Sequence, residues 1–204
     1  MKTGYTICNL FIAITLLVLT GCTKNITKYN ADSEDPGLAI FSNKGNNLMT
    51  CYVNGKPWKT TDKKTTSTGP GLIPEVVIRR MMTNSTQDTL IFSWLGDYQV
   101  NGPQAIAQLN LLLPIPKTFT IKDIAALQGQ RLSIDTLSNN GAFAISSTVS
   151  GNGNIFFETV KIDSISPGNY FGQLSGLLDA NLPGYAITRG RFDHSLSLGQ
   201  FYNF

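Results

Sequence analysis

The chain has 204 residues, with 16 lysines and arginines against 13 acidic residues, and its formal net charge is +3. This near balance argues against a polyanionic partner, so we expect no nucleic acid to bind. The chain contains a single histidine, so a metal site with several histidine ligands is excluded, and a nucleophilic site that uses histidine as a base could use only this residue. We therefore expect no metal ion and no cofactor.

The N-terminus has the pattern of a bacterial export signal that ends in a lipidation site. A short basic start precedes an apolar region that reaches Leu19, and a small Gly21 lies directly before Cys22. Residues 19–22, L-T-G-C, resemble the lipobox of bacterial lipoproteins, in which the cysteine carries lipid. An uncleaved membrane span is the alternative, but polar residues interrupt the stretch and a span needs about 20 apolar residues. We expect removal of residues 1–21 and lipid anchoring through Cys22.

Three regions follow from this signal. Residues 1–21 are the predicted signal peptide, and residues 22–47 are polar enough to predict a flexible tether. Residues 48–204 are long enough for a single domain with its own core. We expect this domain in the cell envelope, at the outer membrane. The periplasmic face is favoured over the cell surface, because no acidic cluster directly follows Cys22.

The domain has the pattern of a β protein. Apolar and polar residues alternate with a period of two along 89–94, 105–113, 159–163 and 170–179. Pairs such as Asn54-Gly55 separate the apolar runs, as tight antiparallel hairpins require. One short helix is predicted over 121–128. The expected fold is mainly β, either an antiparallel sandwich or an incompletely closed barrel, with at most one short helix.

Three residues have predicted structural roles. Ile187 and Phe192 have opposite parity and Gly190 lies between them, which predicts a bulge in a strand. Cys51 is the one cysteine that stays free after export, and its alternating surroundings predict a buried thiol. His194 shares parity with Phe192, so we expect a hydrogen-bonded histidine in the core or at its rim, with a metal ligand or general base as the alternative.

Paired carboxylates are the catalytic arrangement that the composition leaves open. Glu158 shares its phase with apolar neighbours and is the acid at inward parity, although a bulge that lets its carboxylate reach solvent is favoured. Asp193 is the second acid that a hydrolase would use. We expect no catalytic activity, and a glycan-acting hydrolase that uses these two carboxylates is the alternative.

Trp58 and Tyr52 are the candidate binding residues, because an exposed aromatic ring can stack on a sugar. Trp58 follows the predicted hairpin turn, so it either caps one end of the core or lines a groove. The cap is favoured, since large aromatic side chains contribute most to core burial.

Two segments resemble small Bacteroidota lipoproteins of unknown function. Residues 51–60, C-Y-V-N-G-K-P-W-K-T, have the V-N-G-x-x-W hairpin that follows the tether in those proteins, and residues 187–192, I-T-R-G-R-F, resemble their closing strand. The family has no established catalytic residues, so the resemblance implies an envelope lipoprotein and no mechanism. We predict a lipid-anchored, non-catalytic binding or interaction module whose partner is a glycan or an envelope protein. A structural scaffold of an envelope complex is a further alternative.

Overall fold

The computed structural model describes residues 29–60, 76–82, 86–96, 106–166 and 169–204. The predicted signal peptide and Cys22 lie outside the described residues. The strands are β1 (Leu48–Val53), β2 (Lys56–Lys59), β3 (Val76–Met81), β4 (Gln87–Leu95), β5 (Gln108–Pro116), β6 (Arg131–Ile134), β7 (Ala142–Ala144), β8 (Ser150–Ser166), β9 (Asn169–Leu182), β10 (Tyr185–Ser197) and β11 (Phe201–Tyr202).

Three short 3-10 helices lie between the strands, at Ile121–Leu127, Thr136–Ser138 and Leu198–Gln200. The first confirms the helix predicted over 121–128. Thr120 and Asp123 form its capping box, in which the backbone N–H of Thr120 donates to the Asp123 carboxylate at 2.7 Å. Among the residues that the structure describes, no helix has the length and apolar content needed to cross a bilayer.

The strands form one eleven-stranded sheet in the order β11-β3-β4-β5-β7-β8-β9-β10-β1-β2, with β6 also paired to β8. The sheet curls into an open half-barrel, which confirms the prediction of a mainly β fold, a sandwich or incomplete barrel. A bridge between Thr60 and Gly96 brings the end of β2 to the end of β4. Two distant parts of the sheet therefore approach each other without closing the barrel.

Opposite walls of the half-barrel meet through four aromatic rings. Phe92 and Trp94 of β4 face Phe157 of β8 and Phe192 of β10. The ring centroids of Trp94 and Phe192 are 5.2 Å apart, and those of Phe92 and Phe157 are 5.5 Å apart. All four side chains are fully buried. Tilted rings at these separations add to the stability that burial of their apolar area provides.

The predicted hairpin and the predicted bulge are both present. Asn54 and Gly55 join β1 to β2 with φ angles of 51° and 76°, the positive values that a tight hairpin requires. In β10 the register against β9 shifts between Ile187 and Gly190. A Cβ on Gly190 would lie 2.7 Å from the carbonyl oxygen of Leu178, so the close approach of β9 requires glycine there.

Residues 29–47, the docked segment, pack against the outer face of the sheet. Leu38 is fully buried, and Ala31 pairs with Ala39 to close a small loop. Ser195 of β10 donates its backbone N–H to the side chain of Asn47 at 2.8 Å. This part of the chain differs from the flexible tether predicted for residues 22–47, because one buried leucine and side-chain contacts to β10 hold it in place. The folded domain therefore includes residues 29–47.

Candidate functional site

The outer face of β6, β8, β9 and β10 has two adjoining grooves with volumes of about 520 and 390 Å³. Both are lined by Leu177, Leu178 and Asp179 of β9, so together they form one continuous depression, here called the trough. Ile40 and Phe41 of the docked segment line the larger groove. The trough is therefore built by the sheet and by the segment that packs on it.

The register of the strands arranges the outward side chains of the trough in two rows, because alternate residues of a strand face the same side. The first row contains Arg131 of β6, Phe156 of β8, Leu177 of β9 and Arg191 of β10. The second row contains Ser133 of β6, Asn154 of β8 and Asp179 of β9, and Arg189 of β10 follows. Each row crosses four strands. The first row presents charged and apolar side chains, and the second presents only polar and charged side chains.

At the β10 end of the trough, the two arginines are paired with carboxylates of the docked segment. Arg191 contacts Asp32 and Asp35, and it also donates to the carbonyl of Ala39 at 2.9 Å. Arg189 contacts the same Asp35, a buried residue. The hydrogen bond from Arg191 holds the pKa of Asp32 below its ordinary value. The positive charges at this end are thus already balanced.

At the β6 end, the guanidinium of Arg131 lies 4.2 Å from the centroid of the Phe156 ring. A cation over the face of an aromatic ring is attracted by the ring quadrupole. Within the described part of the chain, Arg131 has no carboxylate partner. The exposed side chains of Ser133 and Asn154 lie beside it. This end of the trough therefore presents the Arg131 guanidinium, positioned by the Phe156 ring, with hydrogen-bonding side chains next to it.

Asp179 lies where the two grooves meet. Its Oδ1 atom accepts the backbone N–H of Arg189 at 2.8 Å, which fixes the carboxylate beside the bulge of β10. Partial burial raises the pKa of Asp179 above its ordinary value. Its side chain is nevertheless exposed, so the other carboxylate oxygen can accept a hydrogen bond from a ligand.

The structure places Trp58 in the core, so the predicted binding role is wrong for this residue. Its side chain is 1% exposed, and its Nε1 donates to the carbonyl of Ile106 at 2.8 Å. A Cβ on Gly96 would lie 2.4 Å from a carbon of the indole ring. Trp58 has no face available for stacking, and the favoured alternative, a residue that caps the core, is confirmed.

Tyr52 is half-buried and does not line the trough. Its hydroxyl donates to the carbonyl of Pro36 at 3.0 Å, so the side chain contacts the docked segment. Trp58 pairs with Cys51 and Tyr52 pairs with Pro57. Because successive residues of a strand face opposite sides of a sheet, the two predicted binding residues cannot form one site.

Glu158 lies at a bulge in β8, where the register against β9 shifts between Phe157 and Thr159. The side-chain amide of Gln128 hydrogen-bonds to the backbone at this bulge. Its Nε2 donates to the Glu158 carbonyl and its Oε1 accepts the Val160 N–H, both at 2.6 Å. The predicted bulge is thus confirmed, but the expectation that the carboxylate reaches solvent does not hold for one of its oxygens. The Oε2 atom of Glu158 is buried and, among the described residues, has no hydrogen-bond partner.

Asp193, the second acid of the alternative hydrolase, has a structural role. The residue is buried, and its carboxylate accepts the backbone N–H groups of Lys44, Gly45 and Asn46 at 2.7–3.2 Å. Neither Asp193 nor Glu158 lines either groove of the trough. A carboxylate with three N–H partners under a packed segment has no access to substrate.

Cys51 and His194 are both fully buried, as predicted. Burial raises the pKa of the Cys51 thiol, so the group is a thiol and not a thiolate. Burial lowers the pKa of His194 to about 3. His194 is therefore neutral at pH 7. The hydrogen bonding predicted for this residue is not found, because neither ring nitrogen has a partner among the described residues. Within the described ranges, no cluster of three or more histidine, cysteine and acidic side chains could hold a metal ion.

The chain matches no protein-family model, and no curated protein or solved structure is similar enough to count as a match. The trough residues were not among the sequence predictions. Arg131, Phe156 and Leu177 come from three strands that are far apart in sequence, and only the sheet register brings them together. The alternation of apolar and polar residues around them predicts that they lie in strands, but it does not predict that they lie in one site.

Proposed function

We propose that this chain is a lipid-anchored envelope protein whose β domain is a non-catalytic binding module, with the trough as the site for an extended glycan. The observation that supports this best is the continuity of the two grooves through Leu177 and Asp179. An extended ligand needs an open surface of this kind, whereas a small molecule is usually enclosed in a deeper pocket.

The chemistry of the trough suits a sugar chain. Leu177 is 40% exposed on the floor and offers apolar surface to the C–H groups of a sugar ring. Asn154 supplies both a donor and acceptors, Ser133 supplies a hydroxyl, and Asp179 supplies an acceptor. Hydroxyl groups of a glycan can pair with all three.

The proposed anchor rests on the N-terminal sequence. Cys22 follows the L-T-G of residues 19–21, and lipid on its sulfur would tie the chain to a membrane. We place the domain at the outer membrane, with the periplasmic face favoured. The membrane is then one partner, and a glycan or an envelope protein is the other.

The alternative hydrolase has less support. Its second acid, Asp193, is occupied by three backbone N–H groups and lies outside the trough. A scaffold in an envelope complex is the remaining candidate, and it predicts no glycan binding at all.

A glycan array probed with the full chain in detergent micelles tests the proposal. We expect binding to at least one class of glycan, and a loss of at least tenfold in affinity for Leu177→Asp, since a sugar ring that covers the new carboxylate would strip it of water without compensation. Leu137→Asp is the matched control, because Leu137 is 89% exposed and lies outside the trough. An empty array would favour the scaffold. Equal binding by the folded Leu177→Asp variant would place the site elsewhere.

A further inference from the structure

We infer that the trough takes an oligosaccharide that carries a carboxylate, and that Arg131 binds the carboxylate. The inference rests on the proposed function, because it specifies the ligand of the same site. It departs from the expectation, drawn from the near-balanced net charge, that the chain has no polyanionic partner, because it depends on one local arginine and not on the net charge. The observation behind the inference is that, at the β6 end, Arg131 has no carboxylate partner among the described residues and lies beside the exposed side chains of Ser133 and Asn154.

Arg131 is held in place before any ligand binds. Its guanidinium lies 4.2 Å from the Phe156 ring centroid, and strand register keeps the two residues directly opposite each other. The planar N–H fork of a guanidinium matches the two oxygens of a carboxylate. Less side-chain entropy is lost on binding when the donor is already oriented.

The three arginines of the trough differ in their partners. Arg189 and Arg191 contact Asp32 and Asp35 of the docked segment, whereas Arg131 has no such contact among the described residues. An incoming anion therefore meets an arginine without a carboxylate contact at the β6 end, with Asp179 at the far side of the same groove, and meets paired arginines at the β10 end. This asymmetry predicts the orientation of the ligand, with its carboxylate over β6.

The neighbouring groups favour a hydroxyl-rich chain over an acidic peptide. Ser133 lies two residues from Arg131 on the same strand, a separation of about 7 Å, which approximates the size of one sugar ring. Asp179 lies two strands from Ser133, roughly 10 Å away, and offers an acceptor for hydroxyl donors. A peptide of acidic residues has no hydroxyls to donate to this acceptor.

The test compares polymers that differ only in the charge of their carboxyl groups. Polygalacturonate, alginate and hyaluronan are titrated into the full chain in detergent micelles, each beside its fully methyl-esterified form. We expect at least one acidic polymer to bind ten times or more tightly than its ester. Its affinity should also fall as salt rises, because the contact is between opposite charges on an exposed surface.

Variants then assign the contact to Arg131. Arg131→Gln should weaken binding of the acidic polymer at least tenfold and leave binding of the ester unchanged. Arg131→Lys keeps the charge without the planar fork, so an intermediate loss is expected. Arg79→Gln is the matched control, since Arg79 is an exposed strand arginine on β3, away from the trough. Thermal melts verify that each variant is folded.

The outcomes separate this inference from the proposed function. If none of the acidic polymers binds, or Arg131→Gln binds them like the wild type, the inference is overturned. Binding of acid and ester with equal affinity, lost in Leu177→Asp, would overturn it while the glycan-binding function stands. Binding of poly-glutamate as tight as that of the acidic polymers would overturn the assignment to a sugar and indicate an acidic peptide.

Discussion

The carboxylate of Asp193 accepts a hydrogen bond from the backbone N–H of Gly45 at 2.7 Å, although the two residues lie 148 positions apart. Gly45 has a φ of 73°, and a Cβ there would lie 2.1 Å from the hydroxyl oxygen of Ser195. The docked segment is thus attached to β10 by the hydrogen bond between Asp193 and Gly45 and by the close packing of Gly45 against Ser195. Because this segment also forms a wall of the trough, its attachment fixes the shape of the proposed site.

Replacing Asp193 with alanine should destabilise the fold. The change removes the carboxylate acceptor of three backbone N–H groups of the docked segment, and of these only the Lys44 N–H has a second acceptor, the Ser42 hydroxyl. The loss costs about 2–3 kcal/mol of unfolding free energy. Urea unfolding of the full chain measures the loss. Asp163→Ala is the control, because Asp163 is an exposed strand residue, and its effect should stay within about 0.5 kcal/mol. Equal stability of the two variants would contradict the structural role of Asp193.

Trp58→Ala should destabilise the fold by about 3–5 kcal/mol, because it removes a large buried ring from the seam between β2 and β4. Trp58→Phe keeps most of the volume but loses the hydrogen bond to Ile106, so its cost should be smaller. Denaturant midpoints of both variants measure the difference. A Trp58→Ala variant as stable as the wild type would argue that the ring is dispensable for packing.

Cys51 should resist alkylation in the native protein. The side chain is fully buried, and burial raises its pKa, so the reactive thiolate is both scarce and shielded. Iodoacetamide at pH 8 should label it only after unfolding in urea, with peptide mass mapping to distinguish it from the other cysteines. Rapid labelling of Cys51 in the folded protein would instead indicate a reactive or intermolecular role.

The stability of the fold should fall at acid pH because of His194. Its folded pKa, about 3, lies below the unfolded value of about 6.5, so the unfolded chain binds a proton more readily. Above about pH 6.5 His194 is neutral in both states and the free energy of unfolding is unaffected by its titration. Between pH 6.5 and pH 3 only the unfolded chain binds the proton, so the free energy of unfolding falls by about 1.4 kcal/mol per pH unit. His194→Leu removes this titration. Unfolding free energies at pH 7 and 4.5 should therefore differ less in the variant than in the wild type, and equal differences would contradict the assignment.

Cys22→Ala should abolish lipid incorporation. Without the thiol there is no sulfur to receive the lipid, so the protein should stay unprocessed or appear in the soluble fraction. Radiolabelled fatty acid and membrane fractionation follow the outcome. Normal maturation with unchanged membrane retention would rule out the lipoprotein assignment. Removal of the domain by protease shaving of intact cells would place it on the surface and not on the periplasmic face.

The sequence alone determined the class of fold and several local features. Alternation with a period of two predicted the strands, and Asn54-Gly55 predicted a hairpin, because both signals act between neighbours in the chain. The slip of parity around Gly190 likewise predicted the bulge in β10. The burial of Cys51 and His194 followed from the same alternation. These features depend on the preferences of short segments, which a sequence states directly.

Only the tertiary structure decided where ligand chemistry could lie. The polar composition of residues 29–47 predicted a tether, yet the ion pairs of Asp35 with arginines more than 150 residues later hold that segment on the sheet. The sequence favoured a core position for Trp58, but its surroundings, Gly96 and Ile106, come from the other end of the sheet and follow only from the tertiary structure. Arg131, Phe156 and Leu177 became neighbours through the pairing of three strands. Such contacts join residues far apart in the chain, and the local pattern of a sequence does not specify which strands will pair.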